Sequence, residues 1–363
     1  MKKILVLSME YPPNGGGAGT VVKEICTNLR KEYEITLITN NQNTKIKEEF
    51  KVIEVKKIPK LTFGNYYFIL KKVDLKEYSK IIINDIGASF VASLFFSKEI
   101  QKKCILFLHG TEYEEIIEKP NFLFKLFNFS QKYKMLLENC FKIVAVSFFM
   151  KEKFIEKVNE IDLKNKINVI YNGVDSTKFF YEKIDIYEYL KIKKKNKTLL
   201  TVSRIVKQKG FLTMLKIFKE LLKKQNNLIW IIVGEGKFKL KLKKIIKKEQ
   251  VDDKIIFIEK KNYNELRKLY SSVDLFWLLS EYEEALGLVY IEAQMCGCKV
   301  LGYKNAGVTE AIYDKESFFK SNNDILNILE RKKEVIPKEF FLKFTIGNQI
   351  LQLKRIINND IEK

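Results

Sequence analysis

At 363 residues the chain is too long for one ordinary hydrophobic core, and about 150 residues per domain makes two domains the expectation. A composition of 46% hydrophobic and 31% charged residues, with 5 Pro and 16 Gly, excludes a disordered, collagen-like or low-complexity chain. The formal charge of +21 favours anionic ligands or surfaces, but only five of the 66 cationic side chains are arginine, too few for a dedicated reader of DNA.

Taken in chain order, short apolar runs at residues 4–7, 35–38, 81–83, 105–108, 143–146 and 168–170 read as strands. Their hydrophobicity is continuous rather than alternating, as parallel strands covered on both faces require. Residues 18–30 and 122–139 read as helices between them. After Phe180 the pattern stops, and residues 181–197 are polar and lysine-rich, with Lys193-Lys194-Lys195. A second series follows, with strands at 199–202, 228–233, 255–258, 275–278 and 300–301 and helices at 209–223, 237–248, 263–271 and 287–296. Strand–helix alternation of this kind predicts an α/β fold of two doubly wound, Rossmann-like domains with a hinge and a cleft. The expected division is 1–180, a linker at 181–197, a second domain at 198–335, and a helical tail at 336–363.

Five scattered cysteines and one histidine argue against a structural zinc site and for a reduced, cytoplasmic chain. Lys2-Lys3 and the apolar run after them resemble the start of a leader, but the run is short and Glu10 interrupts it. The most apolar stretch, residues 81–96, contains Asn84 and Asp85, so no segment is expected to span a bilayer.

Candidate chemistry lies in the loops after strands. The first strand runs into Pro12-Pro13-Asn14-Gly15-Gly16-Gly17-Ala18-Gly19, where glycines let the backbone approach a phosphate at a helix start. An ordinary strand–helix turn explains this loop as well. The spacing is not that of the dinucleotide fingerprint, and no acid clearly closes the second strand. His109-Gly110 follows the strand at 105–108; its uniqueness and place favour function over packing, although spacing assigns it no carboxylate and no nucleophile elbow is present. Arg204 and Lys209 flank one loop and are suited to clamp a diphosphate without metal. Gly234-Glu235-Gly236 is another backbone-approach loop, or a plain turn. Glu284 and Glu292, eight apart on and before a helix, would stand roughly 12 Å apart at 1.5 Å per residue. That is too far for an acid–base pair at one glycosidic bond, and fits instead two grips on an extended ligand.

The ordered set resembles the large retaining glycosyltransferase family 4, with its GT-B fold. It runs through YPPNGGGAG, HG at His109, VS at Ser147, NGVD at 172–175, SRIVKQKG, VGEG, the two glutamates with seven residues between them, and AGVTE at 306–310. The resemblance implies transfer of a sugar from a nucleoside-diphosphate sugar, UDP- or GDP-linked, with retention and without metal or other cofactor. It implies that Arg204 and Lys209 hold the diphosphate, Glu284 the sugar hydroxyls and Glu292 the ribose. Gly234, Gly287, Leu288 and Val289 complete the donor site by the same carry-over, His109 sits at the donor sugar, and Gly16 and Gly17 line the phosphate and acceptor side. Saccharide or lipid-linked acceptors of surface polysaccharide or glycolipid synthesis are expected, and no nucleic acid. The tail is expected to pack back on the first domain. Ala285-Leu286 departs from the family's Gly-Phe or Pro-Phe, which puts the donor-sugar packing in question.

Phe122, Phe124, Phe127 and Phe129 interleave with Lys125 and precede Lys132 and Lys134. Core packing is the first expectation for them, because alternation by two does not suit one helical face. Docking on an anionic bilayer at the inner face of the plasma membrane stands beside it. Two other classes remain open: a non-catalytic nucleotide-sugar-binding protein and a sugar-nucleotide epimerase.

Overall fold

Two parallel sheets organise the chain. The structure, a computed structural model, describes residues 1–13, 16–41, 46–57, 62–192, 196–333 and 335–359. Asn14 and Gly15 of the glycine-rich loop and Lys193-Lys194-Lys195 lie outside the described residues. The chain divides into two units, one made of Met1–Asn172 with Gly347–Lys363 and the other of Gly173–Ile346.

In the first unit the strands are β1 (Lys3–Leu7), β2 (Glu34–Asn40), β3 (Lys51–Val55), β4 (Lys80–Ile83), β5 (Cys104–Leu108), β6 (Lys142–Ala145) and β7 (Ile167–Val169). They lie in the order β3-β2-β1-β4-β5-β6-β7. Because β1 pairs with β2 on one side and β4 on the other, the order reverses at β1 and β4. Crossovers leave this point in opposite directions, which opens a crevice at the carboxyl ends of the two strands. Four of the expected strands, β1, β2, β4 and β5, are buried along most of their length, as two covered faces demand. The sequence pattern misses the half-exposed edge strand β3 because Lys51 and Glu54 leave it without a continuous apolar run. A second difference concerns the helix expected over 122–139. Asn128 adopts φ +50°, and the stretch becomes two helices, Phe122–Leu126 and Phe129–Asn139. Asparagine tolerates this left-handed conformation better than most residues.

The second unit contains β8 (Lys197–Val202), β9 (Leu228–Val233), β10 (Ile255–Ile258), β11 (Leu275–Leu278) and β12 (Val300–Gly302), in the order β10-β9-β8-β11-β12. Here the order reverses at β8 and β11. Trp230 of β9 and Trp277 of β11 meet edge to face at 5.1 Å in the core, and the Trp230 ring nitrogen donates to Thr201 Oγ1 on the strand between them. Burying a ring of that size without leaving its N–H unpaired is what that threonine achieves. Residues 181 and 182 pack within this unit: Glu182 pairs with Arg267 at 2.8 Å, and Lys333 approaches the Tyr181 ring. Gly173 of NGVD has a local reason, since a Cβ there would come within 2.5 Å of the Ile346 backbone where Val174 bridges to Thr345.

Candidate active site

The carboxyl ends of β1 and β4 carry a buried polar cluster in the first unit. Asp85, just beyond β4, caps the helix Ile86–Phe95 through Ala88 N at 2.8 Å. Its other oxygen accepts from Met9 N (2.6 Å), Glu10 N (3.1 Å) and Ser8 Oγ (2.9 Å). One carboxylate therefore ties the loop after β1 to the end of β4. Burial pushes the Asp85 carboxyl up, and these four hydrogen bonds oppose the push. Glu10 in turn accepts from Gly16 N at 2.7 Å, at the start of the helix Gly17–Leu29. At Gly16 a Cβ would come within 3.1 Å of that carboxylate, whereas at Gly17 it would meet nothing within 4 Å. Among the described residues no side chain thus occupies the space over Gly17.

His109 follows β5, its ring half-buried and nearly parallel to Phe107 at 5.9 Å. Its Nε2 lies 3.1 Å from Asn84 Oδ1. Burial pulls the imidazole down to about 4, so it is neutral at physiological pH. Glu112 accepts from the main-chain N–H groups of His109 (2.7 Å) and Gly110 (2.8 Å), holding the turn rather than the ring. Burial pushes Glu112 up, again against its hydrogen bonds.

In the second unit two of the candidate residues are in direct contact. Lys209 and Glu284 form an ion pair, each side chain 15% exposed. Arg204 is exposed and has no ion pair among the described residues. Gly210, at φ +72°, opens the helix Phe211–Lys224; a Cβ there would strike the Leu279 carbonyl at 1.9 Å. Gly234, at φ +144°, would place its Cβ 2.0 Å from the Ser203 carbonyl. Close packing of the loops after β8, β9 and β11 is thus what demands glycine at these points. Gly287, at φ +90°, precedes the helix Leu288–Met295, whose first residues Leu288 and Val289 are half-buried. Helical rise therefore applies only from Leu288 onward. The 12 Å separation expected for Glu284 and Glu292 assumed a continuous helix and does not hold as derived. Leu286 is buried, and Gly307 of AGVTE packs beneath it, a Cβ there falling 2.1 Å from the Ala285 carbonyl. Glu292 accepts from the Tyr270 hydroxyl at 3.2 Å, and burial pushes its carboxyl up to about 7 despite that bond.

Sequence reasoning missed Asn84, Asp85, Glu10 and Glu112. The first two were visible as a polar pair directly after an apolar strand, a place where side chains reach a crevice rather than a core. Spacing assigned the His109 ring no carboxylate, and Glu112, three residues on, serves the main chain rather than the ring. Among the described residues no group of three His, Cys, Asp or Glu side chains is placed to hold a metal ion.

Comparison with known proteins agrees with this layout. The model described as Glycosyltransferase Family 4 matches residues 15–178, and that described as Glycosyl transferases group 1 matches residues 182–339. The chain belongs to glycosyltransferase family 4. A relative in Streptococcus pneumoniae, alpha-monoglucosyldiacylglycerol synthase, is 21% identical over 322 residues, covering 84% of this glycosyltransferase and 72% of the relative. The sucrose-phosphate synthase of Thermosynechococcus elongatus superposes with a TM-score of 0.78 at 17% identity, over 99% of each chain. Anabaena HepE, solved with UDP and glucose, gives 0.74 at 17% identity, over 99% of this glycosyltransferase and 100% of HepE. These structures share the GT-B fold of this glycosyltransferase.

Proposed function

We propose that this glycosyltransferase takes a nucleoside-diphosphate sugar, UDP- or GDP-linked, and transfers the sugar with retention and without a metal ion. The acceptor we propose is a saccharide or lipid-linked molecule of surface polysaccharide or glycolipid synthesis. The observation that carries the reading is that Arg204, exposed and without an ion pair among the described residues, lies in the loop that also holds Lys209, which pairs with Glu284 at the switch point of the second sheet. Two cations there would neutralise a departing diphosphate as a metal ion does elsewhere, in a place where fixed charges cost no reorganisation. Glu284 would accept from sugar hydroxyls once the incoming phosphate draws Lys209 away. Glu292 would accept from the ribose hydroxyls, with Gly234 and the main chain at Gly287, Leu288 and Val289 lining the donor. Gly16 and Gly17 would leave the first unit's backbone open to phosphate or acceptor.

In the reaction, the bond from the anomeric carbon to the β-phosphate oxygen breaks and a bond from the acceptor oxygen forms on the same face. The acceptor proton passes to the departing phosphate oxygen, so no side-chain base is demanded. His109, neutral at physiological pH, would contact the transferred sugar rather than carry that proton.

Peripheral contact with an anionic membrane completes the proposal. Phe124 and Phe129 are buried, but Phe122 is 80% exposed, Leu126 65% and Phe127 42%, with exposed Lys125 between them. Aromatics of this kind beside lysines suit the headgroup region of an anionic bilayer. No helix among the described residues is long and apolar enough to cross a membrane. Sedimentation with phosphatidylglycerol vesicles, absent with phosphatidylcholine and lost in Phe122→Ser/Leu126→Ser, is the expected result; equal binding of the variant would remove the membrane from the proposal.

A thermal-shift panel with EDTA tests the donor reading, using UDP, GDP, ADP and CMP with their common sugar conjugates. A nucleotide at 100 times its dissociation constant adds about 2.7 kcal/mol of stability. A shift with UDP or GDP, followed by product of retained anomeric configuration, is expected. Product that forms only when magnesium is restored would overturn metal independence, and no shift with any nucleotide would overturn the donor site.

A further inference from the structure

The geometry of the first unit points to Asn84 as a positioning residue. We infer that it fixes the His109 ring in the tautomer that carries its proton on Nε2, so that Nδ1 is presented as a bare acceptor. Hydrogens need not be seen for this to follow. Asn84 is fully buried, and its amide has two ends to satisfy. One end lies 3.1 Å from the Ala18 carbonyl and 3.0 Å from Ser8 Oγ. A backbone carbonyl only accepts, so the atom facing it is the amide nitrogen. The oxygen is then the atom facing the His109 ring at 3.1 Å. An amide oxygen also only accepts, so the ring nitrogen opposite it must donate. In a neutral imidazole this leaves the lone pair on Nδ1.

The charged groups around the ring do not supply an alternative. Asp85, next to Asn84, has both oxygens engaged by Ala88, Met9, Glu10 and Ser8. Glu112 is engaged by the main chain of His109 and Gly110, and Glu10 by Gly16 N. Phe107 covers one face of the ring. None of these carboxylates is bonded to either ring nitrogen among the described residues.

The chain of contacts from Ala18 to Asn84 to His109 also makes the glycine-rich loop part of the device. The Ala18 carbonyl belongs to the helix that begins at Gly17, so the position of that helix start selects the orientation of the Asn84 amide and thereby the tautomer. Resting on the glycosyltransferase reading above, the ligand group that suits a bare Nδ1 is a hydroxyl donor of the transferred sugar, not a phosphate oxygen or a carbonyl.

The single histidine makes the test direct, because every imidazole signal of the full chain belongs to His109. Nitrogen shifts of the uniformly labelled ligand-free protein are expected to show Nε2 protonated and Nδ1 bare, down to a pH of about 4. A ring protonated on Nδ1, or an even mixture of tautomers, would overturn the inference. Asn84→Ala is expected to let the two tautomers mix, and Asn84→Asp to raise the pH at which the ring charges by about one to three units, as an opposite charge at close range does. A pure Nε2 tautomer persisting in Asn84→Ala would also overturn it. Should either variant fail to fold, the wild-type spectrum still decides. If the chain transferred no sugar at all, these spectra would be unchanged, so failure of the activity reading is distinguishable from failure of this one.

Discussion

The two switch points occupy the same place in two sheets of the same design, yet their chemistry differs. After β4 and its neighbour β5 the acids are inward-looking: Asp85 and Glu112 accept from main-chain amides, and His109 is neutral at physiological pH. At β8 and β11 the charges are formal and partly unbalanced, with Arg204 exposed just after β8 and Lys209 of the same loop paired with Glu284. Sheet topology decides where a crevice opens, and it does so identically in both units. What the crevice does is decided by whether its acids are consumed in holding loops or left to meet a ligand. The first unit's acids hold a shape, while the second presents the charges that the proposed diphosphate would meet.

Removing the unbalanced charge is the strongest way to break that contrast. Arg204→Ala should lower kcat by about 100- to 1,000-fold, the scale of losing one preorganised group that stabilises developing negative charge. Exposure of the side chain means the melting temperature should hardly change. The comparison fails if Arg204→Ala turns over normally while a charge removal in the first unit, such as Glu10→Gln, is the more damaging to kcat.

Glycines sharpen the same contrast at a smaller scale. Gly234 is glycine because the protein demands it: the backbone sits at φ +144° and the Ser203 carbonyl occupies the place of a Cβ. Gly234→Ala should cost about 1–3 kcal/mol of stability, the usual price of a strained backbone residue. Gly17 has no such neighbour, and alanine suits a helix start at least as well. Gly17→Ala should therefore keep the melting temperature and still lower kcat/KM about tenfold or more, since a methyl group would fill space left for the ligand. Full activity in Gly17→Ala would show that this opening is not used.

Much of the fold was legible because buried parallel strands are written as unbroken apolar runs, and eleven of the runs expected on that ground coincide with strands. The edge strand at Lys51–Val55 was not legible, since Lys51 and Glu54 leave it no unbroken apolar run. Neither was the break at Asn128, where one left-handed residue interrupts an otherwise helical pattern. Within the candidate site, residues that carry scarce chemistry stood out: the lone His109, and Arg204 in a chain of lysines. Asn84 and Asp85 did not, because an amide and an acid after a strand read as ordinary polar punctuation until tertiary contacts show what they hold. Spacing along the chain also misjudged Glu284, which lies in a loop outside the helix whose rise was applied to it.

The smallest expected effect separates the two units by pH. His109 charges only near 4, so the first unit should contribute no titration of its imidazole between pH 5 and 8. Glu292 in the second unit behaves differently, because burial lifts its carboxyl to about 7. Its folded value lies above the unfolded one, so the folded chain holds the extra proton as pH rises from the ordinary carboxylate range. Stability from this group is therefore highest at low pH and is lost progressively until about pH 7, above which the loss is complete. A ribose whose hydroxyls donate to Glu292 prefers the ionised form, so the sign reverses for binding. Nucleotide affinity should rise with pH below about 7, by up to about tenfold per pH unit, and level off above it. Glu292→Gln should remove that slope while leaving a weaker, pH-independent affinity. Calorimetry in buffers of different ionisation enthalpy checks the same linkage: wild type should release up to one proton on binding nucleotide at pH 6, and Glu292→Gln none. A slope that survives in Glu292→Gln would move the titration to another group and leave the ribose without its acid.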